Sequence, residues 1–295
     1  MRAPAAWHHR GMLAYRHAFH AGNHADVLKH LIWVALLRHL NLKDKGWRAI
    51  DTHAGAGGYS LEGTYAQQRA EFAQGIGRLW ARDDLPPLAA DLRDLVRHFN
   101  ADGALRQYPG SPALAHLLMR PQDQLRLFEL HPTDHKILAD WLGGEPGVQV
   151  RLADGFAGLK AQLPPPTRRG VVLIDPPYEI KTDYRRVLDA AREALARFPE
   201  GQVMVWMPQL QLLEASQLPQ RLKASADAGA RKGWLLARLS VSRGDERGFG
   251  LLGSSVFVAN PPHTLAPALR STLPWLAEAL RGEAEPAWVV EAAGG

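Results

Sequence analysis

The sequence predicts an α/β fold: an open, largely parallel sheet covered by helices on both faces, with a helical insert near its start. Three observations predict it. Apolar runs of strand length alternate with helical stretches along the 295 residues, acids recur directly after those runs at Asp51, Glu129, Asp154 and Asp175, and the acids are regularly spaced with one exception. Such alternation implies parallel strands joined by crossover helices. A chain of this length buries one substantial core, so one domain with an insert is expected rather than two independent units.

Taken in order, residues 1–11 precede the periodic sequence, which begins after a second methionine, Met12; they read as a disordered N-terminal extension to a domain spanning 12–295. From Asp26 to Leu40 the apolar positions Val27, Leu28, Leu31, Ile32, Ala35, Leu36 and Leu40 recur at helical spacing and leave Lys29, His30 and Arg38 on other faces. Trp47 to Asp51 is a short strand, followed by the glycine turn Thr52-His53-Ala54-Gly55-Ala56-Gly57-Gly58. Further strands are expected at Leu125 to Leu130, Val148 to Ala153, Gly170 to Ile174, Gln202 to Met207, Trp234 to Val241 and Ser254 to Asn260. The clearest helices between them are Thr182 to Phe198 and Gln209 to Gly229.

The exception in spacing locates the insert. Glu129 to Asp154 is 25 residues and Asp154 to Asp175 is 21, whereas Asp51 to Glu129 takes 78. A helical insert over roughly 61–120 accounts for the excess, with Phe72, Ile76, Leu79, Trp80, Leu92, Leu95, Val96 and Phe99 on short amphipathic helices broken by Pro86-Pro87. It is expected to sit above the strand ends and shape a substrate entrance.

Composition narrows the chemistry. The chain has no Cys, which excludes disulfides, thiolate zinc sites and cysteine nucleophiles and fits a reducing compartment. No apolar leader or membrane-length stretch is present, so a cytoplasmic protein without a membrane partner is expected. A net charge of +5 fits an anionic partner such as nucleic acid. No Gly-x-Ser-x-Gly elbow follows a strand, which argues against a serine hydrolase.

The strand Gly170 to Ile174 runs straight into Asp175-Pro176-Pro177-Tyr178. Prolines lack N–H groups and bias the residues before them towards extended backbone, so the strand stops pairing there and exposes its carbonyls. Asp175 and the Pro176 carbonyl can then accept both N–H bonds of one amino group while the Tyr178 ring stacks on the base that carries it. That grip suits the exocyclic amine of adenine or cytosine, a poor nucleophile until its lone pair is turned towards an electrophile. A plain turn or helix cap at Asp175 fits the same four residues.

The turn at Gly55 is half of a dinucleotide fingerprint: Gly55-x-Gly57 is present, but Ser60 stands where a third glycine belongs. Close approach to a ligand and a tight strand-to-helix turn both explain the glycines. Glu129, at the next strand end, is placed to accept from two ribose hydroxyls. A ribose site without a pyrophosphate cradle fits S-adenosylmethionine. The segment from His17 to His30 holds His17, His20, His24 and His30; polar closure over a carboxylate or phosphate is expected there, and no metal.

Taken together, these blocks resemble the bacterial large-subunit ribosomal RNA adenine-N6 methyltransferase J family. The resemblance runs from about Met12 past Trp275 and is carried by Tyr15-Arg16-His17, the run from Phe19 to His30, Asp51 to Gly57, Tyr108-Pro109-Gly110-Ser111-Pro112, Glu129-Leu130-His131-Pro132, Ala153-Asp154-Gly155-Phe156 and Asp175-Pro176-Pro177-Tyr178. It implies a Rossmann-like class I methyltransferase core with a small helical insertion subdomain. It implies that His30, His53, Ser111, Glu129, Asp154, Gly155 and Asp175 surround S-adenosylmethionine, that Tyr15 approaches the RNA, and that Asp175 is the catalytic acceptor with Lys29 beside it.

The expected function is therefore methylation of N6 of a specific adenine in 23S ribosomal RNA, by a monomer acting before the ribosome is fully assembled. Asp175, Pro176 and Tyr178 are the expected catalytic residues, and Tyr15 and Lys29 the RNA-facing ones. Two alternatives use the same residues: a DNA adenine-N6 or cytosine-N4 methyltransferase, and a non-catalytic RNA-binding module.

Overall fold

The computed structural model describes residues 20–62, 70–100, 102–242, 251–282 and 285–294. The expectations for residues 1–11 and Tyr15 lie outside these.

An apolar run preceded by a good cap starts the fold. Helix α1 (His24–Asn41) is capped by Asn23, whose side chain accepts from the backbone N–H of Ala25 and Asp26, both at 3.0 Å. Then come β1 (Arg48–Asp51), β2 (Gly58–Ser60), α2 (Pro87–His98), β3 (Gln107–Pro109), α3 (Ser111–Leu118), β4 (Gln124–Glu129), α4 (Pro132–Leu142) and β5 (Val148–Leu152). The second half holds β6 (Gly170–Ile174), α5 (Thr182–Arg197), β7 (Gln202–Gln209), α6 (Leu213–Gly229), β8 (Trp234–Ser240), β9 (Gly253–Ala259), α7 (Leu265–Ala279) and β10 (Ala287–Ala293).

The main sheet has the order β10-β8-β9-β7-β6-β1-β4-β5. The strands from β5 across to β7 run parallel, while β9 is antiparallel to β7 and β8 and β10 is antiparallel to β8. Two reversals make β8 parallel to β7, so its C-terminal end returns to the same edge. Chain order runs outward from β1 through β4 to β5, then restarts on the other side at β6. The crevice beside β1 and β6 is thus the switch point, where open α/β sheets bind ligands. Every residue of β6 is buried, as its Gly-Val-Val-Leu-Ile sequence requires of a strand covered on both faces.

One face of the sheet is covered by α1, α7 and the segment between β1 and β4, and the other by α5 and α6. No helix of the described residues is long and apolar enough to cross a membrane.

The structure adds to or departs from the sequence reading at four places. Helix α1 carries Lys29, His30 and Arg38 away from its apolar positions as expected, yet 13 of its 18 residues are buried, Lys29 and His30 among them, and only Arg38 of the three reaches the surface, where it clasps Asp91 of α2. Helix α6 starts at Leu213 rather than Gln209, because β7 runs on through Gln209, whose amide donates to the carbonyl of Ser254 at 2.8 Å. The span 61–120 is not purely helical. It holds α2, a single turn at Gly77–Trp80 and α3, and its strand β3 pairs antiparallel with β2 just before it. Strand β10 was not expected; the run Ala287–Ala293 closes the sheet edge, with Glu291 bonded to Lys223 of α6 at 2.6 Å.

Candidate functional site

The carboxyl ends of β4, β1 and β6 lie side by side and carry Glu129, Asp51 and Asp175. Above them is a cavity of about 310 Å³. Its walls include Lys29, His30, His53, Ser111, Glu129, Phe156, Asp175, Pro176, Tyr178, Arg186 and Trp206. Of the described residues in 61–120, only Gly110 and Ser111 line it.

At one end sits an amine-gripping group. Asp175 Oδ2 accepts from Lys29 Nζ at 2.7 Å, and the same ammonium lies 2.8 Å from Asp26 Oδ1. Asp26 also accepts from the backbone N–H of Gly22 at 2.9 Å. Burial opposes the charge on Lys29, but the two carboxylates outweigh it and hold the ammonium above the ordinary lysine range. Lys29 is therefore a fixed cation and no base. With Oδ2 engaged, Oδ1 and the Pro176 carbonyl are the acceptors without a partner among the described residues.

Tyr178 closes this end in a conformation that a bulky residue seldom adopts, with φ at 54°. Its hydroxyl donates to the Trp206 carbonyl at 2.7 Å, and its ring packs on Tyr184 and Trp206 at centroid distances of 4.8 and 6.0 Å. Those contacts offset a backbone strain of about 1–3 kcal/mol. The ring is 6% exposed, a fixed wall of the cavity rather than a free platform.

The other end presents acceptors. Thr52 Oγ1 donates to the Leu173 carbonyl at 3.0 Å, so its contact with His53 Nδ1 at 2.8 Å must be a bond that the imidazole donates. Burial pushes the His53 imidazole down to about 3, so the ring is neutral and its Nε2 carries a lone pair. Ser111 Oγ donates to Asp51 Oδ2 at 2.6 Å and keeps its own lone pairs. Glu129 accepts from the N–H of Gly55 at 2.7 Å and of His131 at 2.6 Å, one on each oxygen, and burial raises it above the ordinary carboxylate range. Gly55 is at φ +61°, and a side chain there would collide with the Tyr59 hydroxyl, so this turn needs glycine for its own geometry. A face of acceptors suits ribose hydroxyls, an ammonium group and an adenine amine, and it repels pyrophosphate. S-adenosylmethionine fits such a donor set.

Of the expected residues, His30, His53, Ser111, Glu129, Asp175, Pro176, Tyr178 and Lys29 line the cavity, and Asp154 and Gly155 directly precede its lining residue Phe156. Asp154 caps the turn Gly155–Gly158 through the Phe156 N–H at 2.9 Å and pairs with Arg186. The Phe156 ring lies edge-on to His53 at 4.7 Å with the Arg186 guanidinium 4.4 Å from its centre. Phe156 directly follows the Asp-Gly pair and was legible as part of that block; Arg186, on α5, carried no signal. Asp26 was missed because an acid three residues before a lysine reads as an ordinary helix pair. Among the histidines, His20 bonds to Glu71 at 2.9 Å and lines the cavity, and no cluster among the described residues could hold a metal ion.

Asp51 provides a pH test. Burial, partly offset by the bonds from Ser111 and His53, pushes its carboxyl up to about 7. Between the ordinary carboxylate range and pH 7, the folded protein keeps a proton that the unfolded chain releases. The stability this group contributes is full below that range and is lost as pH rises to about 7. Asp51→Asn, which keeps an acceptor for Ser111, is expected to lessen the fall in melting temperature between pH 5 and 7. An unchanged fall would show that Asp51 is ionised throughout.

Sequence comparison places these features among known proteins. A family model described as "RsmJ: Ribosomal RNA large subunit methyltransferase D, RlmJ" matches residues 44–291. "Ribosomal RNA large subunit methyltransferase J" of Escherichia coli (strain K12) is 43% identical over 283 residues, covering 95% of this chain and 99% of that protein. Its namesake from Haemophilus influenzae is 42% identical over 281 residues, with 95% and 98% covered. Among solved structures, a Legionella pneumophila protein superposes with a TM-score of 0.84 at 31% identity, covering 92% of this chain and 98% of its own.

Proposed function

The chain belongs to the RlmJ family of ribosomal RNA large subunit methyltransferases, and from that premise we propose how its cavity directs a methyl group to N6 of an adenine in 23S ribosomal RNA. S-adenosylmethionine, the methyl donor of the family, supplies a carbon made electrophilic by the adjoining sulfonium. The chain supplies everything that orients the acceptor.

We assign Glu129 to the ribose hydroxyls, Ser111 and His53 Nε2 to N–H or O–H donors of the cofactor, and the Phe156 ring to its base. His30, which bonds to the Tyr108 hydroxyl at 2.8 Å, shapes the wall between the cofactor and α1. Asp154 and Gly155 are assigned to the cofactor on the family resemblance, with Asp154 also capping the turn that carries Phe156. Tyr15 is assigned to the RNA on the family resemblance.

The target adenine must leave its stack, because stacking hides its amine. Once seated beside Tyr178, its amino group donates one N–H to Asp175 Oδ1 and the other to the Pro176 carbonyl. Both bonds pull the nitrogen towards tetrahedral geometry and turn its lone pair towards the donor. As the nitrogen gains the methyl group it becomes cationic, which the carboxylate stabilises, and Oδ1 takes the proton. An ordinary carboxylate is too weak a base to deprotonate neutral adenine beforehand, so its gain comes from orientation and charge.

The observation that carries this mechanism is the pair of open acceptors, Asp175 Oδ1 and Pro176 O, with Oδ2 fixed by a buried lysine. The finer part of the proposal is that a monomer acts on 23S RNA before assembly is complete, when an adenine can still be splayed out. Protein-free 23S RNA from cells lacking this protein, intact large subunits and duplex DNA are the three substrates to compare, with methylated bases mapped by mass spectrometry. N6-methyladenine at one site in the free RNA is expected. Methylcytosine, or preference for duplex DNA, would overturn the assignment, and preference for intact subunits would overturn the assembly stage.

A further inference from the structure

Arg238, on β8, is the exception among the sheltered arginines of the described residues. Other sheltered arginines are engaged: Arg48 by Gln124, Arg120 by Asp123, Arg169 by the Leu40 carbonyl, and Arg186 by Asp154. Arg168, Arg231 and Arg270 have no ion pair either, but they are exposed to water. The Arg238 side chain is half-buried, and among the described residues its guanidinium has neither a hydrogen bond nor an ion pair. A partly desolvated cation without an anion destabilises the fold that holds it. Such a group has a use only when an anion arrives.

Its surroundings say which anion. Arg238 lines a groove of about 200 Å³ between the end of β7 and the start of α6. Pro208 and Leu210 wall both this groove and the methyl-transfer cavity, so the groove directly adjoins the place where a base would enter. Among the described residues no carboxylate lines it, and the nearby Glu214 is turned to Lys181 at 3.1 Å. The polar groups beside Arg238 already have partners. Gln209 is bonded to Ser240 Oγ and the Ser254 carbonyl, and Ser216 Oγ donates to the Leu213 carbonyl. Among the described residues the guanidinium is the only free charge in the groove, a fork of donors suited to one phosphodiester.

We propose that the Arg238 groove is a phosphodiester subsite, which takes the backbone phosphate of a nucleotide next to the target adenosine and so sets the register of the RNA across the cavity. This rests on the function proposed above. Contacts of this kind position a strand without reading its sequence.

The test compares Arg238→Gln, Arg238→Lys and Arg231→Gln with the wild-type protein on unmodified 23S RNA over a range of salt. Arg231 has the same charge on an exposed residue at the far end of β8. For Arg238→Gln, KM for RNA is expected to rise about five- to twenty-fold and the salt dependence of log KM to become shallower by about 0.7 to 0.9, one phosphate contact. Turnover at saturating RNA and affinity for S-adenosylmethionine should stay within twofold, and the melting temperature should be unchanged or higher because an unpaired charge has gone. Arg238→Lys should recover the salt slope. Unchanged KM and slope in Arg238→Gln, an equal effect of Arg231→Gln, or a lower melting temperature with KM intact would each overturn the subsite. Wild-type protein inactive on every RNA would instead overturn the proposed function, and that shows before any variant is compared.

Discussion

Asp175→Asn is expected to lower methyl transfer at least 1,000-fold while S-adenosylmethionine still binds. The variant keeps the size of the side chain and leaves Lys29 paired with Asp26. The Lys29 ammonium will take the amide oxygen, which turns the NH2 group towards the substrate. A donor then faces the donor amine of adenine, where an acceptor is needed. Loss of orientation and loss of charge stabilisation each contribute on the order of 100-fold or more. Asp175→Ala should be as inactive, with a cavity in place of the carboxylate. Radiolabelled methyl transfer to unmodified RNA at the wild-type rate by either variant would remove Asp175 from the mechanism.

The second large effect is on Lys29, whose replacement leaves the buried Asp26 and part-buried Asp175 carboxylates without their shared cation. Lys29→Met is expected to cost about 3–5 kcal/mol of stability, the range for removing one partner of a buried ion pair. Asp26→Asn should be milder in stability, because an asparagine oxygen can still accept from Gly22. Its damage should be to turnover, about ten- to hundred-fold, as Lys29 loses its second anchor and no longer fixes Asp175. A double-mutant cycle separates the two roles. If Asp26 acts through Lys29, adding Asp26→Asn to Lys29→Met should barely change turnover and should recover stability. Equal costs in both backgrounds, measured by turnover and chemical denaturation, would make Asp26 a helix cap and nothing more.

Strands β6 and β7 were legible because they are buried on both faces and are written as nearly unbroken apolar runs, as in Gly170–Ile174, whereas β4 and β5 lie towards the sheet edge, are less buried and alternate apolar residues with Gln and Arg. The regular spacing of Glu129, Asp154 and Asp175 likewise followed from the crossover geometry. The antiparallel closure was less visible, since β10 is an exposed edge whose Trp288 and Val289 are 40% and 38% exposed. At the site, Asp175 and Pro176 were legible because proline chemistry is local. Asp154 stands after its strand as the spacing predicts, and its pairing with Arg186 of α5 was not legible, since a carboxylate after a strand looks alike whatever cation it meets. Arg186 and Arg238 decide local electrostatics from positions that are polar residues of ordinary elements in the sequence. Their importance lies in which neighbours the fold brings to them, or withholds.

The burial of α1 has a consequence for how the protein is made. Its lysine is satisfied by an aspartate 146 residues later in the chain, and its apolar face packs on β6, β7 and β9, which are later still or nearly so. A ribosome adding about 5–20 residues per second emits α1 roughly 7–30 s before its catalytic partner exists. During that interval this largely buried helix has only α2, α3 and the other segments before β6 to pack against, and its buried cation has only Asp26. The same long-range closure that makes the site rigid leaves the nascent chain sticky for longest at its beginning, the part a chaperone would be expected to hold.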